Sequence, residues 1–105
     1  MVVPSTPYDV KGLLKSAIRD KDPVLVMESE QMYGDKGEVP EEEYLLEIGK
    51  ANIIREGSDV TLVSFGKIIK QAIIAADELA KDGISVELID LRSVRPIDYD
   101  TVIKF

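Results

Sequence analysis

Apolar residues fall at Val10, Leu13, Leu14, Ala17 and Ile18, the i, i+3, i+4, i+7, i+8 spacing of a helix that buries one face. Thr6 is placed to cap it, Pro7 takes the first helical position, and Asp9 the third, near the positive end of the helix dipole. Pro23 disfavours helical backbone at Asp22, so the helix is expected to end near Asp20. Apolar runs without that period lie on either side: a short one at Val2-Val3 and a continuous one at Val24-Leu25-Val26-Met27. Continuous runs suit strands of parallel sheets, which are covered on both faces. A first strand–helix–strand unit is therefore expected over residues 2–28.

Residues 29–44 show no sustained period. They carry Gly34, Gly37, Pro40 and the run Glu41-Glu42-Glu43, which predicts a solvated surface connection. An extended segment over 45–54 is expected to carry the chain across to a second unit. There Val60-Thr61-Leu62-Val63 predicts a strand that Gly66 breaks. A helix is predicted over 67–82, with Ile69, Ala72, Ile73, Ala76, Leu79 and Ala80 on its apolar face. Gly83 is placed as the left-handed residue after its last turn, with Ile84 packing back. Residues 85–91 predict the next strand, parallel to the previous one through a right-handed crossover. A last helix is expected to start near Asp98, with Phe105 about two turns in.

Each unit thus offers two parallel strands and one long helix, where open parallel sheets usually hold about four to six strands. The expected fold class is α/β, built of parallel-sheet βαβ units, and the chain is expected to be a piece of a larger protein. The two units share topology but not sequence.

Composition narrows the chemistry. The net charge of −7, with Lys and Arg scattered, argues against a nucleic-acid partner, which needs a clustered basic surface. No apolar stretch approaches the roughly 18 residues of a membrane span, and no signal pattern opens the chain. It is therefore expected in the cytoplasm or an organelle. There are no cysteines and no histidines, so thiolate nucleophiles, a Ser–His–Asp triad and imidazole ligands cannot come from this chain. No catalytic residue is assigned; the chain either does not catalyse or contributes part of a shared site.

Three places carry candidate chemistry. At the end of the first helix, unpaired carbonyls carry partial negative charge, and Asp20 and Asp22 add oxygen donors that suit a hard cation; Asp residues in such turns more often cap or solvate. Glu28-Ser29-Glu30, with Gln31 and Tyr33, follows a predicted strand, where open α/β sheets bind ligands; alternatively a loop simply begins there. Arg92 and Arg95 follow the last predicted strand, where they could hold a phosphate, a partner's carboxylate or local acids. Ser64-Phe65-Gly66-Lys67 lacks the glycine spacing of a phosphate loop and is expected to be structural.

Three stretches together, VVPSTPYDVKGLLKSAIRDKDPVLVMESEQMYG from Val2, GKANIIREGSDVTLVSFGK and LIDLRSVRPID, resemble one family. This is the β subunit of thiamine-diphosphate-dependent 2-oxo acid dehydrogenases, which is transketolase-like and includes the pyruvate dehydrogenases. The likeness covers essentially the whole chain, and the pairing of SAIRDKDP with LRSVRP is its most specific part. The resemblance implies that residues 1–30 end a pyrimidine-binding domain, 31–56 form a linker and crossing segment, and 57–105 begin a transketolase-type C-terminal domain. It implies oxidative decarboxylation of pyruvate, or a branched-chain or acetoin-type substrate, with acyl transfer to lipoyl groups. Thiamine diphosphate with magnesium would be held mainly outside this chain, since the family's activating glutamate and β-subunit histidine lie upstream of Val2. Implied partners are a dehydrogenase α subunit, a second β subunit and a lipoyl acyltransferase core, in a bacterial cytoplasm or a mitochondrial matrix. The resemblance also places a monovalent-cation site, potassium in some members, at Ala17, Ile18, Asp20 and Asp22. The first two give carbonyls, and Asp22 stands where some relatives have Asn. A different class of function, a stand-alone acidic α/β interaction module with no catalysis, would use the acidic connection to dock a basic partner.

Overall fold

The computed structural model describes residues 1–103, apart from the side chain of Glu30. Val86-Glu87-Leu88-Ile89-Asp90 forms β3, and all five residues are buried. They are buried because β3 is paired on both edges. β2 (Val60–Ser64) runs parallel to it, in register from Val60 opposite Val86 to Ser64 opposite Asp90. β1 (Asn52–Arg55) runs antiparallel on the other edge, with Asn52 opposite Asp90 and an irregularity before Arg55. The sheet order is β1-β3-β2. β1 is a departure from expectation: the segment 45–54, read as a connection, supplies an antiparallel edge strand.

The predicted βαβ unit is present as β2, α2 (Ile68–Lys81) and β3. Ile69, Ala72 and Ala76 are the buried positions of α2, which is the predicted period; Ile73 and Ala80, predicted on the same face, lie exposed at its margin. The helix ends as Gly83 requires. With φ +80° at Gly83, its N–H reaches the Ala80 carbonyl at 3.1 Å and the Ile84 N–H reaches that of Leu79 at 3.0 Å, the paired bonds of a Schellman end. The turn before β2 needs Gly57 for a different reason: a Cβ there would lie 2.3 Å from the Val86 carbonyl carbon.

α1 (Pro7–Arg19) starts and stops as predicted. The Thr6 hydroxyl accepts the Asp9 N–H at 3.1 Å, and Asp20 is the C-terminal cap. Its buried face, however, is Asp9, Gly12 and Leu13. Val10, Leu14 and Ile18, predicted as core, are 43%, 44% and 74% exposed. The cause is where the neighbouring chain lies. Residues 40–46 run back along α1: Lys11 donates to the Glu42 carbonyl at 2.8 Å, Ser16 to that of Leu46 at 2.6 Å, and the Tyr44 ring stacks on Tyr8 at 4.6 Å. This strap and the end of β3 claim the side of the helix that holds Asp9, Gly12 and Leu13, and Val10, Leu14 and Ile18 lie outside it.

The predicted strands of the first unit shrink to one contact. Val2 forms a parallel bridge to Val26, and an antiparallel one to Ser93. Leu25 and Met27 are 60% and 43% exposed, so the run 24–27, expected to be covered on both faces, is paired along one edge only. The connection 29–44 holds one 3₁₀ turn, Glu30–Met32, and Glu41-Glu42-Glu43 are exposed as predicted. Arg19 beside Glu43 holds that carboxyl below its usual range.

The short helix α3 (Tyr99–Ile103) begins after Asp98 as expected; Phe105 lies outside the described residues. Asp98 accepts the Thr101 hydroxyl at 2.6 Å, the Thr101 N–H at 3.2 Å and the Ala51 N–H at 3.0 Å, tying α3 to the approach of β1. The Thr101 hydroxyl bond is the main reason its carboxyl is held low. Among the described residues, no helix is long and apolar enough to cross a membrane.

Candidate functional site

The carboxyl ends of β2 and β3 are where an open α/β sheet would meet a ligand. Here the N-terminal segment closes the end of β3. The Val3 N–H donates to the Arg92 carbonyl at 2.7 Å, and the Val94 N–H to that of Met1 at 2.9 Å. Beneath these bonds lies a buried polar cluster. Thr6 caps α1 and so sets Asp9 in its first turn, facing the sheet. Arg92 has φ +57°, a left-handed conformation that costs a non-glycine residue about 1–3 kcal/mol. That conformation turns its side chain back into the fold. Its guanidinium grips Asp9 through two bonds, Nε to Oδ2 at 3.0 Å and NH2 to Oδ1 at 2.7 Å. Both side chains are largely buried, 15% and 3% exposed. Of the roles open to Arg92 in the sequence, pairing with a local acid is the one observed.

Asp90 completes the cluster. Its Oδ2 accepts the Ser5 hydroxyl at 2.5 Å and its Oδ1 the Arg92 N–H at 3.0 Å. Burial pushes its carboxyl above the ordinary value, and the bonds from Ser5 and the Arg92 N–H only partly offset this. Chemically, the cluster binds residues 5–9 to 90–92. The Ser5 hydroxyl, the Arg92 N–H and two guanidinium N–H groups are spent on the two carboxyl groups.

The other candidates lie apart from it. Glu28 accepts the Tyr33 hydroxyl at 2.9 Å, and this bond raises the phenol above its usual value by favouring the neutral form. Two cavities flank Glu28. One, of about 400 Å³, is walled by Pro7, Val10, Met32 and Val39. The other, of about 560 Å³, reaches Gln31, Phe65 and Lys67, where Lys67 donates to Gln31 at 3.2 Å. Arg95 is exposed.

Ala17, Ile18, Asp20 and Asp22 lie in a single turn at the end of α1, with Ala17 half-buried and the other three exposed. The Asp20 N–H reaches the Ala17 carbonyl at 3.3 Å, and Asp20 Oδ1 accepts the Asp22 N–H at 3.0 Å. Among the described residues no three acidic side chains gather to hold a metal ion; a cation at this turn would rest on carbonyls.

Sequence reasoning singled out Arg92 but missed Ser5 and Asp90, and explained Asp9 by the helix dipole alone. The available signal was an Asp closing the strand right after Leu88-Ile89, followed two residues later by an arginine.

The model of the family described as "Transketolase, C-terminal domain" matches residues 49–105, the stretch that holds the whole sheet, α2 and α3. The chain belongs to the transketolase C-terminal domain family. Beyond that domain, the chain is 55% identical over 104 residues to the pyruvate dehydrogenase E1 component subunit beta of Bacillus subtilis, covering 98% of this chain and 32% of that protein. The subunits of the same name from Staphylococcus epidermidis and Staphylococcus aureus are 54% and 52% identical over the same span. The chain therefore spans about a third of the length of the curated relatives it matches. A solved structure described as a split gene transketolase, an inactive beta4 tetramer, superposes with a TM-score of 0.78 at 26% identity, over 98% of this chain and 33% of that one. The family resemblance drawn from the three sequence stretches and the α/β class with parallel strands both hold.

Proposed function

We propose that this chain is part of the β subunit of the dehydrogenase component of a 2-oxo acid dehydrogenase complex, which oxidatively decarboxylates pyruvate and passes the acyl group to lipoyl groups. The observation that carries the reading is 55% identity over 104 residues to a pyruvate dehydrogenase E1 component subunit beta. The alternative, a self-standing acidic interaction module, is not favoured by a likeness that runs over 98% of the chain.

The described residues do not by themselves fit thiamine diphosphate and its magnesium. No three acidic side chains gather for a divalent ion, and the arginine at the end of β3 is committed to Asp9. No step of the reaction is assigned to this chain. Its proposed share is scaffold and subunit contact: residues 1–30 close a pyrimidine-binding domain, 31–56 cross over, and 57–105 open the C-terminal domain. The apolar stripe Val10, Leu14 and Ile18 with Leu25 and Met27 supports this, because exposed apolar surface of that kind marks contact with further protein. The proposed partners are an α subunit, a second β subunit and a lipoyl acyltransferase core, in a bacterial cytoplasm or mitochondrial matrix. A monovalent cation such as potassium at Ala17, Ile18, Asp20 and Asp22 would brace the end of α1.

Reconstitution tests the reading. A full-length β subunit carrying this sequence, mixed with its α subunit, thiamine diphosphate, magnesium and pyruvate, should release carbon dioxide and acetylate a lipoyl domain. Absence of both with a correctly assembled enzyme overturns it. The 105-residue chain alone should show no turnover. For the cation, potassium should raise the melting temperature of the β subunit and Asp20→Ala should abolish that response; an unchanged response removes the assignment.

A further inference from the structure

The cluster at the end of β3 is unbalanced. It brings two carboxyl groups, Asp9 and Asp90, to one guanidinium, whose two side-chain hydrogen bonds both go to Asp9. Asp90 is left with a hydroxyl and a peptide N–H, at 1% exposure. Among the described residues, the groups around it offer no second cation. The N-terminal segment presents Ser5 and α1 presents Asp9. Across the neighbouring cavity lie Tyr8 of α1, Asn52 of β1, and Ile69 and Ile73 of α2. Along the sheet Asp90 faces Asn52 and Ser64. Arg92 is the single charged group of opposite sign among these, and it is engaged elsewhere.

We propose that the contact between the N-terminal segment and the end of β3 is a proton-sensitive latch: uptake of one proton at Asp90 tightens it, and loss of that proton loosens it. The proton goes to a carboxyl oxygen of Asp90 and comes from solvent. A neutral carboxyl keeps its bond with Ser5, since either group can donate to the other, and removes the uncompensated charge. An ionised one carries that charge in a buried site next to Asp9. Burial raises the Asp90 carboxyl, so the folded chain holds this proton at a pH where an unfolded chain has lost it. The sign follows: the penalty is absent at low pH and sets in as pH rises from the ordinary carboxylate value, 3.8, through the raised one, so stability falls with rising pH across that window. This is opposite to Glu43 and Asp98, whose lowered values cost stability as pH falls.

The experiment compares melting temperature against pH for the full chain and for Asp90→Asn, which keeps the shape and removes the titration. The wild-type melting temperature, measured relative to the variant, should drop as pH rises through the window. A difference that stays flat overturns the proposal. Ser5→Ala keeps the test alive should Asp90→Asn fail to fold. Losing the Ser5 bond removes a group that favours the ionised form, so the midpoint of the drop should move to higher pH; an unmoved midpoint counts against the latch. Exchange protection at the Val3 N–H, which bonds across the contact to Arg92, should weaken over the same range once corrected for intrinsic base catalysis. Constant protection there overturns the claim that the contact itself responds.

Discussion

The two ends of this chain are held in different ways. In residues 49–103, the strand β3 is buried along its whole length between β1, β2 and α2, and apolar burial is the binding agent. In residues 1–48, α1 buries Asp9, Gly12 and Leu13 and leaves Val10, Leu14 and Ile18 exposed. What attaches it is polar: the Asp9–Arg92 pair, the Ser5–Asp90 bond and the strap over Tyr8 and Lys11. A helix can therefore form where its sequence says it should, yet leave most of its apolar stripe exposed among the described residues. The contrast matches the relatives, of whose length this chain covers about a third.

Mutations sharpen the contrast. Arg92→Ala should have the largest effect. It strands the Asp9 carboxyl, 3% exposed, and removing one partner of a buried pair costs about 3–5 kcal/mol. Chemical denaturation should show that loss; a cost under about 1 kcal/mol would mean that the pair does not attach α1. Leu88→Ala, at 0% exposure in β3, should cost about 2–5 kcal/mol and should destabilise residues 49–103 whether or not Arg92 is intact. Ile18→Ser is the smallest. At 74% exposure it should change the stability of this chain by no more than about 0.5 kcal/mol. The same change in the full-length subunit should cost clearly more. Equal, small effects in both would leave the stripe without a partner.

Much of the fold was legible because its signals are local. Thr6-Pro7, Asp20, Gly83 and Asp98 mark helix ends through bonds to their own neighbours, and the βαβ unit follows from alternating periods and short loops. β1 was not legible: Asn52-Ile53-Ile54-Arg55 is four residues long, and its partner lies beyond an intervening strand and helix. Of the predicted face of α1, Leu13 is buried but Val10, Leu14 and Ile18 are not, because periodicity shows which side is apolar, not which side the chain itself covers. The polar cluster joins positions 83 and 85 residues apart, and each member has an adequate local explanation on its own. The turn at Ala17, Ile18, Asp20 and Asp22 was placed by resemblance, and its geometry rests on carbonyls that every helix end possesses.

Hydrogen exchange, read residue by residue in the 105-residue chain and again in the full-length subunit, tests the central claim most directly. Amides of β3 should be strongly protected in both. Those in α1 and in residues 24–27 should exchange faster in the short chain and gain protection in the full-length subunit. Equal protection of α1 in the two would contradict the account, because the exposed stripe would then have no further protein to meet.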